Sequence, residues 1–281
     1  MFKKSISYWS FPGGLENTAD HAEVFAEAKR NGFEAVELCV DRKGVLTPRS
    51  TEKQVGRIRA AAEKAGVEIA SVATGMYWTR SMSDPSARVR ESIVEDTKRC
   101  LAIARWAGTD ALLTIPASVD VFFNPKAKVV PYDVAYKRAK EGVRKLLPTA
   151  EKLKVAIAVE NVWNKLFLSP LEVRDFIDGF RSPYVGAYFD VGNVVLTGYP
   201  EQWIEILGKR IKRIHLKDFK RAVATAAGFC DLGEGDVNWR AVTAALKKHY
   251  RQEYLTAEMM PPDETLLART SEAMDKILGR R

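Results

Sequence analysis

Eight short β-branched or aromatic runs alternate with eight longer segments of helical period, and this alternation constrains the fold most strongly. The predicted strands are Lys4–Trp9, Phe33–Leu38, Val67–Ala73, Ala111–Ile115, Val155–Glu160, Tyr184–Asp190, Ile211–Lys217 and Tyr254–Glu258. The predicted helices cover residues 19–30, 50–65, 86–107, 132–153, 169–179, 200–208, 238–249 and 263–278. Residues typical of helix starts mark four of them: Thr18 or Asp20, Asp84 followed by Pro85, Ser169 followed by Pro170, and Asp236. Strands separated by such helices form a parallel sheet, because each return needs a crossover connection.

The number of repeats favours a closed sheet over an open one. An open doubly wound sheet is the alternative, but eight strand–helix units close naturally into a (β/α)8 TIM barrel of about 250 residues. The chain has 281 residues, enough for that barrel or for two smaller domains. No linker rich in proline, glycine or serine divides it. We therefore predict an α/β fold with a single TIM-barrel domain over residues 1–281.

Composition limits the compartment and the partners. The 44 Lys and Arg against 36 Asp and Glu give a net charge of +8, which suits nucleic acid, an anionic surface, an anionic small substrate or merely a basic exterior. Three cysteines at unrelated spacings exclude a disulfide framework or zinc ribbon. No apolar stretch reaches the roughly 18 residues of a membrane span, and the start MFKKSISYWSFPGG lacks the apolar core of a signal peptide. We expect a cytoplasmic protein without a membrane partner.

Four successive strands carry a polar side chain at the same end. In VAIAVE, the fifth strand, the bulky residues share one face, while the small residues and Glu160 share the other, which should point into the barrel. The sixth strand ends at Asp190, the seventh turns His215 inward, and the eighth ends at Glu258. Singly, such acids often cap the next helix and a lone histidine is usually structural. Together, three carboxylates and one imidazole offer oxygen and nitrogen ligands to one divalent ion, with Mn²⁺, Mg²⁺ or Co²⁺ favoured over Zn²⁺.

Three further sets of residues are candidates for substrate contacts. Glu37 ends the second strand in the inward register and contacts either the substrate or the cations Arg42 or Arg80. Lys217, Lys220 and Arg221 follow the seventh strand, where barrels often bind phosphate; a rival set is Arg80, Ser81 and Ser83, and either set can be solvated surface. Aromatic residues near the ends of strands one, three and five can form an apolar wall around a sugar, the core, or a subunit interface. They are Tyr8, Trp9, Phe11, Tyr77, Trp78 and Trp163.

Five short motifs resemble a known superfamily. They are AVEN at 158–161, FDVGN at 189–193, IHLKD at 214–218, GEGD at 233–236 and AE at 257–258. The whole chain resembles the xylose-isomerase-like sugar-phosphate isomerases and epimerases. Its motifs are most similar to the branches that contain L-ribulose-5-phosphate and L-xylulose-5-phosphate 3-epimerases and the ketose 3-epimerases.

The resemblance implies a chemistry for these residues. It implies that the four strand-end residues are the metal ligands and that Glu160 and Glu258 also exchange the proton. The implied reaction inverts C3 of a ketose or ketose phosphate through a metal-stabilised enediolate. Arg221 matches a substrate-contacting arginine of the ketose 3-epimerases. Asn193 stands where those enzymes carry a substrate-contacting histidine, which weakens the transfer of their free-ketose specificity.

Other functions fit parts of the same pattern. The same metal scaffold serves an aldose–ketose isomerase or a keto-inositol dehydratase, since these reactions differ mainly in substrate pose. An abasic-site endonuclease on this barrel would need a site rich in histidine, and the chain has only His21, His215 and His249. A non-catalytic sugar-binding barrel is the remaining alternative. We expect a small ketose or ketose-phosphate partner and no nucleic acid, with a homodimer or homotetramer left open.

Overall fold

The alternating runs form the strands and helices of a closed barrel. The computed structural model describes residues 2–124 and 126–280. Its barrel strands are β1 Lys3–Ser7, β2 Ala35–Val40, β3 Glu68–Thr74, β4 Ala111–Thr114, β5 Ala156–Glu160, β6 Val185–Asp190, β7 Ile211–Leu216 and β10 Tyr254–Ala257. Two short strands, β8 Asp218–Phe219 and β9 Phe229–Cys230, form an antiparallel hairpin after β7. Each barrel strand pairs in parallel with its neighbours in chain order, and β10 closes the circle between β7 and β1.

Eight α-helices follow the barrel strands. They are α1 His21–Arg30, α2 Glu52–Ala65, α3 Ala87–Ala107, α4 Tyr132–Leu153, α5 Pro170–Asp178, α6 Pro200–Leu207, α7 Trp239–His249 and α8 Leu266–Leu278. The (β/α)8 barrel predicted from the sequence is therefore confirmed. No helix among residues 2–124 and 126–280 has the length and apolar character needed to cross a membrane.

The starts of the helices agree with the sequence in two of four cases. The Asp20 carboxylate accepts hydrogen bonds from two backbone N–H groups in the first turn of α1, and the Ser169 hydroxyl accepts one at the start of α5. The prediction for Asp84 is wrong, because its carboxylate accepts the backbone N–H of Ser86, which itself precedes α3. The prediction for Asp236 is also wrong: its carboxylate accepts the backbone N–H of Arg221, at 2.7 Å, and Asn238 caps α7.

The ends of β5, β6, β7 and β10 lie at one level of the barrel. Glu160 and Asp190 are the last residues of their strands, and Asp190 pairs in register with His215 of β7. Thr256 of β10 is also in register with His215, and Glu258 lies just beyond β10. Because the strands are parallel and close into a ring, their carboxyl ends turn these side chains toward one centre.

Hydrogen bonds to the carboxylate of Asp218 hold the connection after β7 in place. Asp218 accepts hydrogen bonds from the backbone N–H of Gly233 and from the indole N–H of Trp239, both at 2.8 Å. Gly235 passes so close that a Cβ there would lie 2.2 Å from Asp218 Oδ1, so only glycine fits. The last residue of IHLKD thus holds the GEGD segment against the barrel.

Candidate active site

Four buried side chains meet at the carboxyl end of the barrel. Glu160, Asp190, His215 and Glu258 each offer one ligand atom, and these atoms all lie within 4.8 Å of one another. The Nδ1 atom of His215 is 3.1 Å from Glu160 Oε1, 2.8 Å from Glu258 Oε2 and 3.9 Å from Asp190 Oδ2. The structure therefore brings together the four residues that the sequence predicted as ligands; we refer to them as the metal cluster.

A fourth carboxylate fixes the orientation of the histidine ring. Glu37 is fully buried, and its Oε1 atom lies 2.9 Å from Nε2 of His215. Its other oxygen accepts hydrogen bonds from the hydroxyls of Ser71 and Tyr188. With Nε2–H donated to Glu37, Nδ1 faces the three carboxylates of the cluster and could bind a cation.

The metal cluster can hold a divalent cation. Three carboxylates and one imidazole are ligands that such ions accept. Asp190 Oδ2 is buried and, among the described residues, has no hydrogen-bond partner. The Lys217 ammonium lies 3.1 Å from that oxygen without hydrogen-bond geometry. A buried carboxylate oxygen without a donor is costly, and a cation at the centre of the cluster would satisfy it.

The two outer carboxylates of the cluster have opposite pKa shifts. Burial raises the pKa of Glu160 to about 7, although His215 opposes this shift. Burial also acts on Glu258, but Lys217, whose ammonium is 2.8 Å away, and His215 outweigh it and lower the pKa of Glu258 to about 2. Carboxyl groups whose pKa values are pushed apart are typical of acid–base pairs.

Hydrogen bonds through two asparagines hold the end of β6. The side chain of Asn161 bonds to both the backbone N–H and the carbonyl of Asp190, at 2.9 and 2.8 Å. Asn193 donates its amide to the carbonyl of Asn161 and its backbone N–H to Asp190 Oδ1. Asn161 belongs to the AVEN motif, but the sequence alone did not assign it a role. Its place directly after Glu160 was the signal that Asn161 positions the site.

A cavity of about 550 Å³ opens onto the metal cluster. Glu160 and Glu258 line it, as do Lys217 and Asn193, two of the predicted substrate contacts. Most of the other lining residues are apolar. Of the aromatic residues singled out in the sequence, Trp9, Trp78 and Trp163 line the cavity, whereas Tyr8, Phe11 and Tyr77 are buried in the core. The sequence analysis missed Phe122, Phe123 and Phe229, which also line it.

Two of the predicted substrate contacts do not line the cavity. Glu37 lies beneath the cluster and contacts His215, not Arg42 or Arg80. The guanidinium of Arg221 points elsewhere, because its Nε donates to the Val195 carbonyl at 2.9 Å and its plane lies over the Tyr199 ring.

The remaining candidate phosphate residues also lie outside the cavity wall. Lys220 is exposed and is not among the lining residues. Arg80 pairs with Asp96 at 2.7 Å, and the Ser83 hydroxyl donates to the Ser118 carbonyl. Of the predicted cations, only Lys217 reaches the cavity, and carboxylates of the cluster bind it.

The chain matches one known protein family and is similar to an Escherichia coli protein. The sequence model of the family described as "Xylose isomerase-like TIM barrel" matches residues 25–277. SgbU of Escherichia coli (strain K12), provisionally named an L-ribulose-5-phosphate 3-epimerase, is 27% identical over 235 residues, which cover 81% of this chain and 80% of that protein.

Two solved structures share the fold across nearly the whole chain. One is a D-psicose 3-epimerase crystallised in the presence of D-fructose, with a TM-score of 0.80 and 15% identity over 99% of each chain. The other is the IOLI protein with a bound zinc atom, with a TM-score of 0.76 and 14% identity over 99% of this chain and 98% of that one. At these identities, the likeness shows the fold alone.

Proposed function

Because the chain belongs to the xylose isomerase-like TIM barrel family, we propose that this enzyme is a divalent-metal-dependent 3-epimerase of a ketose or ketose phosphate. The provisional name of its Escherichia coli relative, a ketose-phosphate 3-epimerase, supports an epimerase over the other reactions of the same scaffold. In this proposal Glu160 and Glu258 are the two acid–base groups. The oxygen-rich ligand set favours Mn²⁺, with Mg²⁺, Co²⁺ or Zn²⁺ as substitutes.

One observation carries the proposal. Of the four members of the metal cluster, the two that line the cavity are Glu160 and Glu258. They come from β5 and β10, the outer two of the four strands that build the cluster. In this proposal a substrate bound at the cluster lies between the two carboxylates, as inversion of a carbon centre requires.

The residues of the chain divide the proton transfers between them. One carboxylate removes the proton from the carbon next to the ketone, and the other returns a proton to the opposite face. Without a metal, Lys217 and His215 keep Glu258 ionised, with a pKa of about 2, and burial raises the pKa of Glu160 to about 7. A bound cation would favour the ionised form of both carboxylates and weaken them as bases, so the same ion would have to acidify the substrate carbon. The epimer that binds decides which carboxylate acts first. A divalent ion held by the cluster would polarise the ketone oxygen and stabilise the negative charge that develops.

Labelling in heavy water tests the proposal. The Mn²⁺-loaded protein is incubated in D₂O with a panel of pentuloses and hexuloses, each with and without phosphate. We expect the C3 epimer of at least one ketose, with deuterium at C3 in both epimers. Glu258→Gln is the matched control. Its amide cannot accept the proton, so the substitution should abolish the exchange of deuterium at C3.

The other reactions of this scaffold give different products. An aldose with deuterium at C1 or C2 would replace the proposal with an aldose–ketose isomerase. A product that has lost the mass of water would indicate a dehydratase. A lack of exchange on every ketose of the panel and on a phenyl glucoside oxidised to a ring ketone would refute the proposal.

A further inference from the structure

Five aromatic side chains form a continuous wall on one side of the cavity. They are Trp78, Phe122, Phe123, Trp163 and Phe229, which we call the aromatic wall. Neighbouring ring centroids lie 5.2 Å apart for Trp78 and Phe123, 5.1 Å for Phe122 and Phe123, 6.0 Å for Phe122 and Trp163, and 5.2 Å for Trp163 and Phe229. These spacings are those of packed aromatic pairs, so the wall is one surface.

Two members of the aromatic wall, Phe122 and Phe123, are exposed to solvent and lie outside the hydrophobic core. Phe122 is 47% exposed and Phe123 is 56% exposed, both in the connection between β4 and α4. Neither belongs to the hydrophobic core. Adjacent exposed phenylalanines beside a cavity form an apolar patch of the kind that marks a binding site. The wall is therefore fitted to bind an apolar group.

The charges around the cavity oppose an anionic substrate. Its lining residues include five carboxylates and two cations. Lys217 lies against Asp190 and Glu258. Arg269 donates Nε to Asp231 at 2.6 Å and both Nη atoms to Asp263, at 2.6 and 2.8 Å. A phosphate would have to displace carboxylates from either cation, next to further carboxylates.

The cavity is large enough for a drug-sized ligand. Its 550 Å³ lies within the range of about 300–1,000 Å³ that holds drug-sized ligands. A ketose bound at Glu160 and Glu258 would occupy the polar end of the cavity, and the aromatic wall would remain in contact with water. A ligand that fills the cavity must therefore be polar at the cluster and apolar at the wall.

We propose that the substrate is an uncharged keto-sugar that carries an aromatic group, with the sugar at the metal cluster and the aromatic group against the aromatic wall. This inference rests on the proposed function, because it keeps inversion next to a ketone as the reaction. It replaces the ketoses and their phosphates as the substrate class with aryl-substituted keto-sugars, such as aryl glycosides oxidised to a ketone in the ring.

Binding of unreactive probes tests the inference without catalysis. Phenyl β-D-glucoside, methyl β-D-glucoside and glucose 6-phosphate are titrated into the Mn²⁺-loaded protein by calorimetry at several temperatures. We expect the phenyl glucoside to bind at least about tenfold more tightly than the methyl glucoside, equivalent to about 1.4 kcal/mol. Its binding should also have a more negative heat-capacity change, because apolar surface is buried.

Variants locate the aromatic group on the wall. Phe122→Ala and Phe123→Ala should each reduce the preference for the phenyl glucoside by threefold or more and leave binding of the methyl glucoside unchanged. Both side chains are about half exposed, so their truncation should leave the fold intact. Leu171→Ala, a similarly exposed position on α5 outside the cavity, is the matched control and should leave the preference unchanged.

Several outcomes would overturn the inference. Equal binding of the phenyl and methyl glucosides would remove the apolar subsite, and tightest binding of glucose 6-phosphate would favour a phosphorylated substrate. If Phe123→Ala converted a dimer to a monomer without changing the phenyl preference, the wall would be a contact between two copies of the chain. These results are independent of the D₂O labelling, so a failure of either experiment can be assigned to its own hypothesis.

Discussion

Replacing Glu37 by glutamine should weaken metal binding although Glu37 is not a ligand. Its carboxylate accepts the Nε2–H of His215 at 2.9 Å, and both side chains are fully buried. Glutamine keeps the shape and an oxygen acceptor for the imidazole. Its amide group can donate to the hydroxyls of Ser71 and Tyr188, which can rotate to accept. The substitution therefore removes one negative charge with little change of packing.

The size of the effect follows from this one hydrogen bond. A hydrogen bond to a charged group contributes about 1.5–3 kcal/mol, and the neutral bond that replaces it about 0.5–1.5 kcal/mol. The difference of roughly 1–2 kcal/mol corresponds to an increase of about 5- to 30-fold in the Kd for the metal. Loss of a partner behind a metal-binding histidine typically costs 10- to 100-fold, a range that overlaps this one.

Calorimetric titration of the chelator-treated protein with Mn²⁺ at constant pH measures this Kd. The matched control is Glu68→Gln, the same substitution at the start of β3, at the opposite end of the barrel, which should leave the Kd unchanged. Thermal unfolding of both variants checks that the fold is intact. If Glu37→Gln binds Mn²⁺ within twofold of the unchanged protein, the carboxylate does not orient or polarise His215, and the reasoning is refuted.

Three other perturbations have expected outcomes of their own. His215→Ala should lose the metal, whereas Glu258→Gln should retain part of the metal and lose turnover. Metal analysis and kinetics on the same samples measure both effects. Equal metal loss in the two variants would leave a separate role of Glu258 as a base unsupported. Gly192→Ala should lower the free energy of unfolding in urea, because its Cβ would lie 2.5 Å from the Cβ of Lys217, just after β7. Gly56→Ala in α2, where nothing lies within 4 Å of the new Cβ, should raise that free energy by about 0.5–1 kcal/mol. The reverse order of the two variants would contradict the packing. Burial lowers the pKa of His21 to about 4, so the unfolded chain, with a histidine pKa of about 6.5, takes up the proton first as the pH falls. Stability should therefore drop by about 3 kcal/mol from above pH 6.5 to pH 4, and His21→Phe should remove this drop; an unchanged pH profile would show that His21 is not the cause.

The strands could be predicted from the sequence because burial on both faces leaves a strong apolar signal. Their ends could not, since the signal continues where the backbone turns. Strand β1 stops at Ser7, two residues before the predicted end, because Tyr8 and Trp9 enter a 3₁₀ turn although both are aromatic. The hairpin β8–β9 was missed because two-residue strands are too short to show any period.

The metal cluster could be predicted because its members occupy equivalent positions on successive parallel strands. That regularity makes register sufficient to bring Asp190 and His215 side by side. Glu37 has the same inward register, yet its partner is 178 residues away across the barrel, and nothing local distinguishes a contact with His215 from one with substrate. The position of Arg221 depends on the path of a long loop, which the sequence does not specify.

The net charge of the chain and the charge of its cavity have opposite signs, and this difference explains why the sequence could not decide between a ketose and a ketose phosphate. A net charge of +8 describes the whole surface, and much of it lies on helices that face solvent. The cavity collects five carboxylates, of which two belong to the metal cluster, one holds the connection after β7 and two bind Arg269. Its two cations lie close to those acids and balance only part of their charge. Even with a bound divalent ion, the formal charge of the lining stays negative, and this charge agrees with the proposed uncharged substrate better than with an anion.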